Sequence, residues 1–308
     1  MRLKLILALL VLAALSMLGC SQETAEEWLE EGRTLFNEGK YDEGVLAIDE
    51  VIRLDPDSAL AWTGKGVVLR HQDNYTDALH AFEEAIRIDP AFALAWNGKG
   101  NVLSDLGNYT EAIEAYDEAI RLDPELATPW SNKGNVLSDL GNYTEAIEAY
   151  DEAIRLDPEY VHAWNNKGDA LYNQGKYTEA IQCYDESIGL DPEYVHAWNG
   201  KGWALADQGK YDEAILAYDE AIRLDPEYVY AWNNKGLALR YQGRYDEAIQ
   251  AYNEALQLDP EDSETLYKKG VALRMLHRHS EADATFKRAR ELGYSETVTI
   301  YEMPGLWT

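Results

Sequence analysis

Two cysteines in 308 residues, Cys20 and Cys183, exclude a disulfide framework. Cys183 sits between Gln182 and Tyr184 on a helical pattern with no histidine nearby to activate it, so it reads as a small buried apolar residue. Cations are also scarce: 27 Lys and Arg stand against 56 Asp and Glu, a formal charge of −29. A surface of that sign repels phosphodiester backbones and anionic lipid heads, which argues against nucleic acid as a partner. Solubility alone accounts for the excess acid, with a basic partner as the alternative.

Motifs of catalysis are missing too. HExxH, CxxC and GxSxG do not occur. Gly64-Lys65-Gly66, Gly98-Lys99-Gly100 and Gly200-Lys201-Gly202 lack phosphate-loop spacing and follow no strand. His162 and His196 lie one period apart with no carboxylate specified at ligand distance, so no metal site and no cofactor is expected. Nothing in the chain reads as an enzyme.

What is present is a leader and a repeat. Residues 1–20, MRLKLILALLVLAALSMLGC, place Arg2 and Lys4 before a run from Leu5 to Leu18 that is apolar except for Ser16. That run is short for a membrane span, which needs about 20 residues, and suits an export signal. With small Gly19 before Cys20 it resembles a prokaryotic lipoprotein signal peptide. The resemblance implies a chain lipidated at Cys20 and held on the outer face of the cytoplasmic membrane. Met17 and Leu18 depart from the usual residues of that pattern, and an uncleaved or differently cleaved leader is the alternative. Residues 21–24 then form a short linker.

The repeat is unbroken. Gly100–Glu125 returns letter for letter as Gly134–Glu159, 34 residues on, and the same period runs over residues 25–296. The eight units are 25–58, 59–92, 93–126, 127–160, 161–194, 195–228, 229–262 and 263–296, followed by a tail, 297–308. Position 4 is Trp in seven units (Trp28 to Trp232), position 8 is Gly in all eight, and position 32 is Pro in seven. Trp at 4 and Leu at 11 lie two helical turns apart on one face. Small residues at 8 and 20 permit close approach of two helices. Asp, Thr or Ser at position 18 reads as the N-cap of a second helix, and Asp-Pro as its stop. Each unit is therefore a helix, a turn, a second helix and a stop, with a hydrophobic content of 46% sufficient for a continuous core.

This Trp-Gly-Tyr-Ala-aromatic-Ala-Pro spacing resembles the tetratricopeptide repeat. The resemblance implies an all-α solenoid, a right-handed superhelix of eight helix-turn-helix units with first helices on the concave wall, and a non-catalytic scaffold for other proteins. A structural part in a cell-surface assembly or secretion apparatus is the alternative. Lys at position 7 departs from the family in seven units; its stem is expected to pack and its ammonium to reach an acid of a neighbouring helix. The last unit, with Leu266 for Trp and no terminal Pro, reads as a cap.

In that family first-helix positions 2, 5, 6, 9, 12 and 13 face the groove. Asn97, Asn165, Asn199 and Asn233 at position 5, and Asn132, Asn166 and Asn234 at position 6, resemble the asparagine ladder that holds an extended peptide backbone. Gly98 and Gly200 interrupt it. Trp203, Arg240, Tyr241 and Arg274 form a second candidate cluster, for an acidic or aromatic-bearing segment. Asn74, Asn108 and Asn142 head Asn-Tyr-Thr sequons in the turns, which read either as glycosylation sites or as turn chemistry. Trp307 in the tail has two candidate seats, the cap or the groove in cis. Near-identical neighbouring repeats permit register exchange between chains, which leaves the oligomeric state open.

Overall fold

A computed structural model of the chain describes residues 24–295. The leader with Cys20 and the tail with Trp307 lie outside the described residues. These fall into two compact units that meet within one helix, the first ending at Val136 and the second beginning at Leu137. The first contains α1 (Ala25–Asn37), α2 (Tyr41–Leu54), α3 (Ala59–His71), α4 (Tyr75–Ile88), α5 (Ala93–Asp105) and α6 (Tyr109–Leu122). Helix α7 (Ala127–Asp139) carries the division. The second unit contains α8 (Tyr143–Leu156), α9 (Val161–Asn173), α10 (Tyr177–Leu190), α11 (Val195–Asp207) and α12 (Tyr211–Leu224). It ends with α13 (Val229–Tyr241), α14 (Tyr245–Leu258), α15 (Ser263–Met275) and α16 (His279–Glu291). Among the described residues there is no strand, and no helix is long and apolar enough to cross a membrane.

The 34-residue period appears as hairpins in file. Within each unit every hairpin packs on its successor, and consecutive first helices touch, as α3 touches α5 and α9, α11, α13 and α15 touch in turn. The core is alanine with one large residue per hairpin at position 24: Ile48, Phe82 and Tyr116 in the first unit, Tyr150, Tyr184, Tyr218, Tyr252 and Phe286 in the second. Glycine opposite that residue sets the approach. A Cβ on Gly168 would lie 2.7 Å from the Tyr184 ring, and one on Gly200 in the next repeat 2.6 Å from it.

The turn between paired helices is fixed at position 15, where the backbone is left-handed in every repeat. Glycine takes this position six times, with Asp73 and His277 in the other two at φ 57° and 59°. This determinant escapes a reading based on apolar spacing. The position-18 residues are not caps: helices α2 to α14 of even number start at position 17, with the N-cap at position 16, and carry no side-chain cap bond. Position 18 lies inside the first turn and faces the next repeat instead. There Gln72, Gln174, Gln208 and Gln242 donate to Asp42, Thr144, Thr178 and Asp212 at 2.7–3.1 Å.

Successive repeats are also latched through the Asp-Pro stop. Each stop aspartate accepts from the backbone N–H two residues on, as Asp191 does from Glu193 at 2.9 Å. The following Pro carbonyl accepts from the Trp indole of the next repeat in repeats 2, 3, 5, 6 and 7, at 3.0–3.1 Å. The position-7 lysines reach the acid sixteen residues back, on the preceding hairpin: Lys65–Asp49, Lys99–Glu83, Lys133–Asp117, Lys167–Asp151, Lys201–Asp185 and Lys235–Asp219, at 2.5–3.1 Å. Their ammoniums sit 5.5–6.0 Å from the Trp three residues earlier. Lys269 has neither partner, because Asn253 and Leu266 stand at the two positions.

Candidate functional site

The first helices of the second unit carry the chemistry worth examining. Trp203, Tyr230, Tyr241 and Met275, at register positions 2, 9 and 13, are 40–65% exposed, unusual for residues of this size. Position 12 of one repeat lies beside position 13 of the next: Arg70 donates from Nε to Asp105 at 2.5 Å and from Nη2 at 3.1 Å, and the Tyr172 hydroxyl donates to Asp207 at 2.6 Å. Arg240 occupies the same position in repeat 7, where its neighbour is Met275. Its side chain is 8% exposed, and Nε and Nη2 are buried with no acceptor. The guanidinium lies 4.9 Å from the Tyr241 ring, which in turn stacks on Tyr211 at 5.6 Å. Arg274, one repeat on, is held by Asp283 at 3.0 Å and lies 4.8 Å from the Phe286 ring.

The asparagines are placed deeper than groove-facing residues. Asn165, Asn199 and Asn233 are buried, and the amides bond among themselves. Asn132 donates to Asn97 and to Asn101, and Asn234 donates to Asn199, all at 3.0 Å. Asn165 donates to Asn166 at 3.1 Å and to Asp169 at 3.2 Å; Asn233 donates to Asp262 at 3.1 Å and accepts from Thr265. Apart from Asn165, whose bonds stay within repeat 5, the amides thus tie one repeat to the next. Asn74, Asn108 and Asn142 are exposed at helix starts, and Asn74 donates to Asp77 at 2.8 Å. Cys183 is buried, which pushes its thiol up to about 11.

The sequence profile of the tetratricopeptide repeat matches residues 29–91, 72–127, 132–195, 169–229, 199–263 and 233–295. The chain belongs to the tetratricopeptide repeat family. Proteins of this family mediate protein–protein interactions and are typically non-catalytic scaffolds. No curated protein matches the chain. Among solved structures it is similar to the Cut9–Hcn1 hetero-tetramer of the APC/C, with a TM-score of 0.65 and 20% identity over 89% of this chain and 50% of that one. It is therefore about half as long as that relative. It is similar to PilF of Pseudomonas aeruginosa (TM-score 0.59, 21% identity, 67% of this chain and 94% of that one) and to MamA (0.50, 26%, 56% and 94%). These are likenesses of fold.

Two features of this tetratricopeptide protein escape a reading of the sequence. One is Asp169, at position 9, whose Oδ1 accepts from the Tyr184 hydroxyl at 2.7 Å. Burial raises its carboxyl to about 6, against the opposing bonds from Tyr184 and Asn165. The other is a ladder of rings made by positions 34 and 2. Tyr160, His162, Tyr194, His196, Tyr228 and Tyr230 follow one another at centroid spacings of 5.1–6.3 Å. Its signal was the recurrence of Tyr and His at fixed positions, visible once position 34 is read together with position 2.

Proposed function

We propose that the chain is an exported, non-catalytic adaptor that holds an extended protein segment on the first-helix face of repeats 5–8, with an acidic side chain of that segment at Arg240. The observation that carries this reading is the unpaired guanidinium. A buried cation without an acceptor is unfavourable by several kcal/mol unless something supplies one, and a carboxylate matches its donors in a bidentate way. Exposed Tyr241 and Met275 beside it supply apolar contact, the usual surroundings of an interface hot spot. In this reading Arg274 adds charge, the asparagines Asn97, Asn132, Asn165, Asn166, Asn199, Asn233 and Asn234 stiffen the wall, and Trp203 contacts the segment. Lipid at Cys20 holds the adaptor on the outer face of the cytoplasmic membrane.

The Arg240→Glu/Arg274→Glu double variant tests the site. Segments captured from membranes by the wild-type chain are lost by the variant; retained capture moves the site elsewhere. Cys20→Ser tests the anchor, because it releases the chain from membranes, and continued retention excludes lipidation there. Intact mass of the native chain decides the sequons Asn74, Asn108 and Asn142: no excess beyond the lipid means they serve the turns.

A further inference from the structure

The face of repeats 5 and 6 opens into a cleft of about 310 Å³. Gly200 is part of its lining, and it stays bare because a side chain there would meet Tyr184. Gly200 thus breaks the line of amides and opens space in the wall at the same point. Around that space stand the rings of Trp203, Tyr194, Tyr228 and His196.

The polar atoms of the cleft are unevenly matched. Asp169 accepts from Tyr184 and from Asn165, and no Lys, Arg or His of the described chain pairs with it. Asn165 is 5% exposed; both bonds of its Nδ2 are made inward, to Asn166 and Asp169, and its Oδ1 is buried with no donor. The orientation of that amide is fixed by the two acceptors its nitrogen meets. The hydroxyls of Tyr194 and Tyr228 are engaged with His162 and His196 at 3.1 and 3.2 Å. What remains open is a carboxylate, an orphan amide oxygen and aromatic faces. All of these call for a ligand that brings N–H donors and positive charge.

We propose that this cleft is a subsite for one arginine side chain of the segment held on the first-helix face. A guanidinium has five donors in a plane and no acceptor, so it satisfies Asp169 and Asn165 Oδ1 together while its face lies on the exposed Trp203 ring. A lysine ammonium supplies the charge but not the flat stacking surface. The net charge of −29 draws a cation to the site, and the bound cation would hold Asp169 ionised, lowering a carboxyl that burial now raises. The subsite rests on the adaptor reading and makes its ligand specific: arginine at repeats 5 and 6, an acid at repeat 7.

The probes are acetyl-Gly-Arg-Gly-amide and its citrulline counterpart, which keeps shape and loses charge. The full chain, labelled with nitrogen-15, is titrated with each, and the indole N–H signal of Trp203 is followed after assignment by its loss in Trp203→Phe. The arginine peptide shifts this signal saturably, and the citrulline peptide binds about tenfold more weakly or not at all. Asp169→Asn removes a buried charge, so it folds, and it weakens the arginine peptide by a similar factor. Equal binding of the two peptides, or undiminished binding by Asp169→Asn, overturns the subsite. The adaptor reading fails by a different measurement, capture that survives in Arg240→Glu/Arg274→Glu, so the two outcomes stay separate.

Discussion

Arg70 and Arg240 hold the same place in repeats 2 and 7, yet one junction is closed and the other open. The difference lies in a single residue of the following repeat, Asp105 in one case and Met275 in the other. The repeat thus fixes where a side chain stands, and its neighbour decides whether the charge is answered within the chain. Repeats 2 and 3 answer it. Repeats 5 to 8 leave a carboxylate at Asp169 and a guanidinium at Arg240 without counter-charges, on the same face as the exposed Trp203 and Tyr241. The register is common to both stretches, and the pairing that closes it at Arg70 is lost at Arg240.

The sharpest way to break the comparison is to close the open junction. Met275→Asp gives Arg240 the acceptor that Arg70 has. Capture of an acidic segment should fall about a hundredfold, equivalent to roughly 2.7 kcal/mol, while thermal stability rises. Unchanged capture with a raised Tm would show that Arg240 is not the contact. A smaller effect concerns Asp169. Its carboxyl is raised to about 6 from an ordinary 3.8, so the folded chain binds more protons than the unfolded one between those values. Stability therefore declines as pH rises through that window, and the penalty is fully present above it and absent below it. Asp169→Asn should raise stability at pH 7.5 by on the order of 1–3 kcal/mol and leave it nearly unchanged below pH 4, measured by chemical unfolding at both. The smallest effect tests what both regions share. Lys133→Met removes one latch to Asp117, a half-exposed ion pair, and should lower stability by no more than about 1 kcal/mol. A loss above roughly 2 kcal/mol would mean that the packed lysine stem and Trp130 carry the junction.

Most of the architecture was legible because the period repeats eight times, so every helix was in effect read eight times over and every stop seven. The position-7 lysines were legible as reaching an acid of a neighbouring hairpin. The turn chemistry was not: Asp, Thr and Ser at position 18 have the composition of caps, but the left-handed residue at position 15 starts the helix early and turns them toward the next repeat's glutamine. Position 5 shows the same limit. Asn165 and Asn199 share a register with groove-facing residues, and only the stacking of hairpins reveals that their amides are buried. Arg240 escaped notice as unpaired because its pairing depends on a residue 35 positions on, where Met275 stands in place of an acid, and Asp169 because its burial emerges only when the hairpins stack.

Each latch is divided evenly between neighbours. The preceding repeat supplies the acid and the proline carbonyl, the following one the lysine and the indole, so internal hairpins share a common plug and socket, although the buried Trp130 indole of repeat 4 finds no acceptor. Such a chain can gain or lose a block of 34 residues without leaving either flank mismatched. The letter-for-letter identity of Gly100–Glu125 and Gly134–Glu159 is what a recent tandem duplication would leave behind. Length, rather than sequence at any one site, is then the cheapest thing for a gene of this design to vary, and with it the reach of the surface it displays.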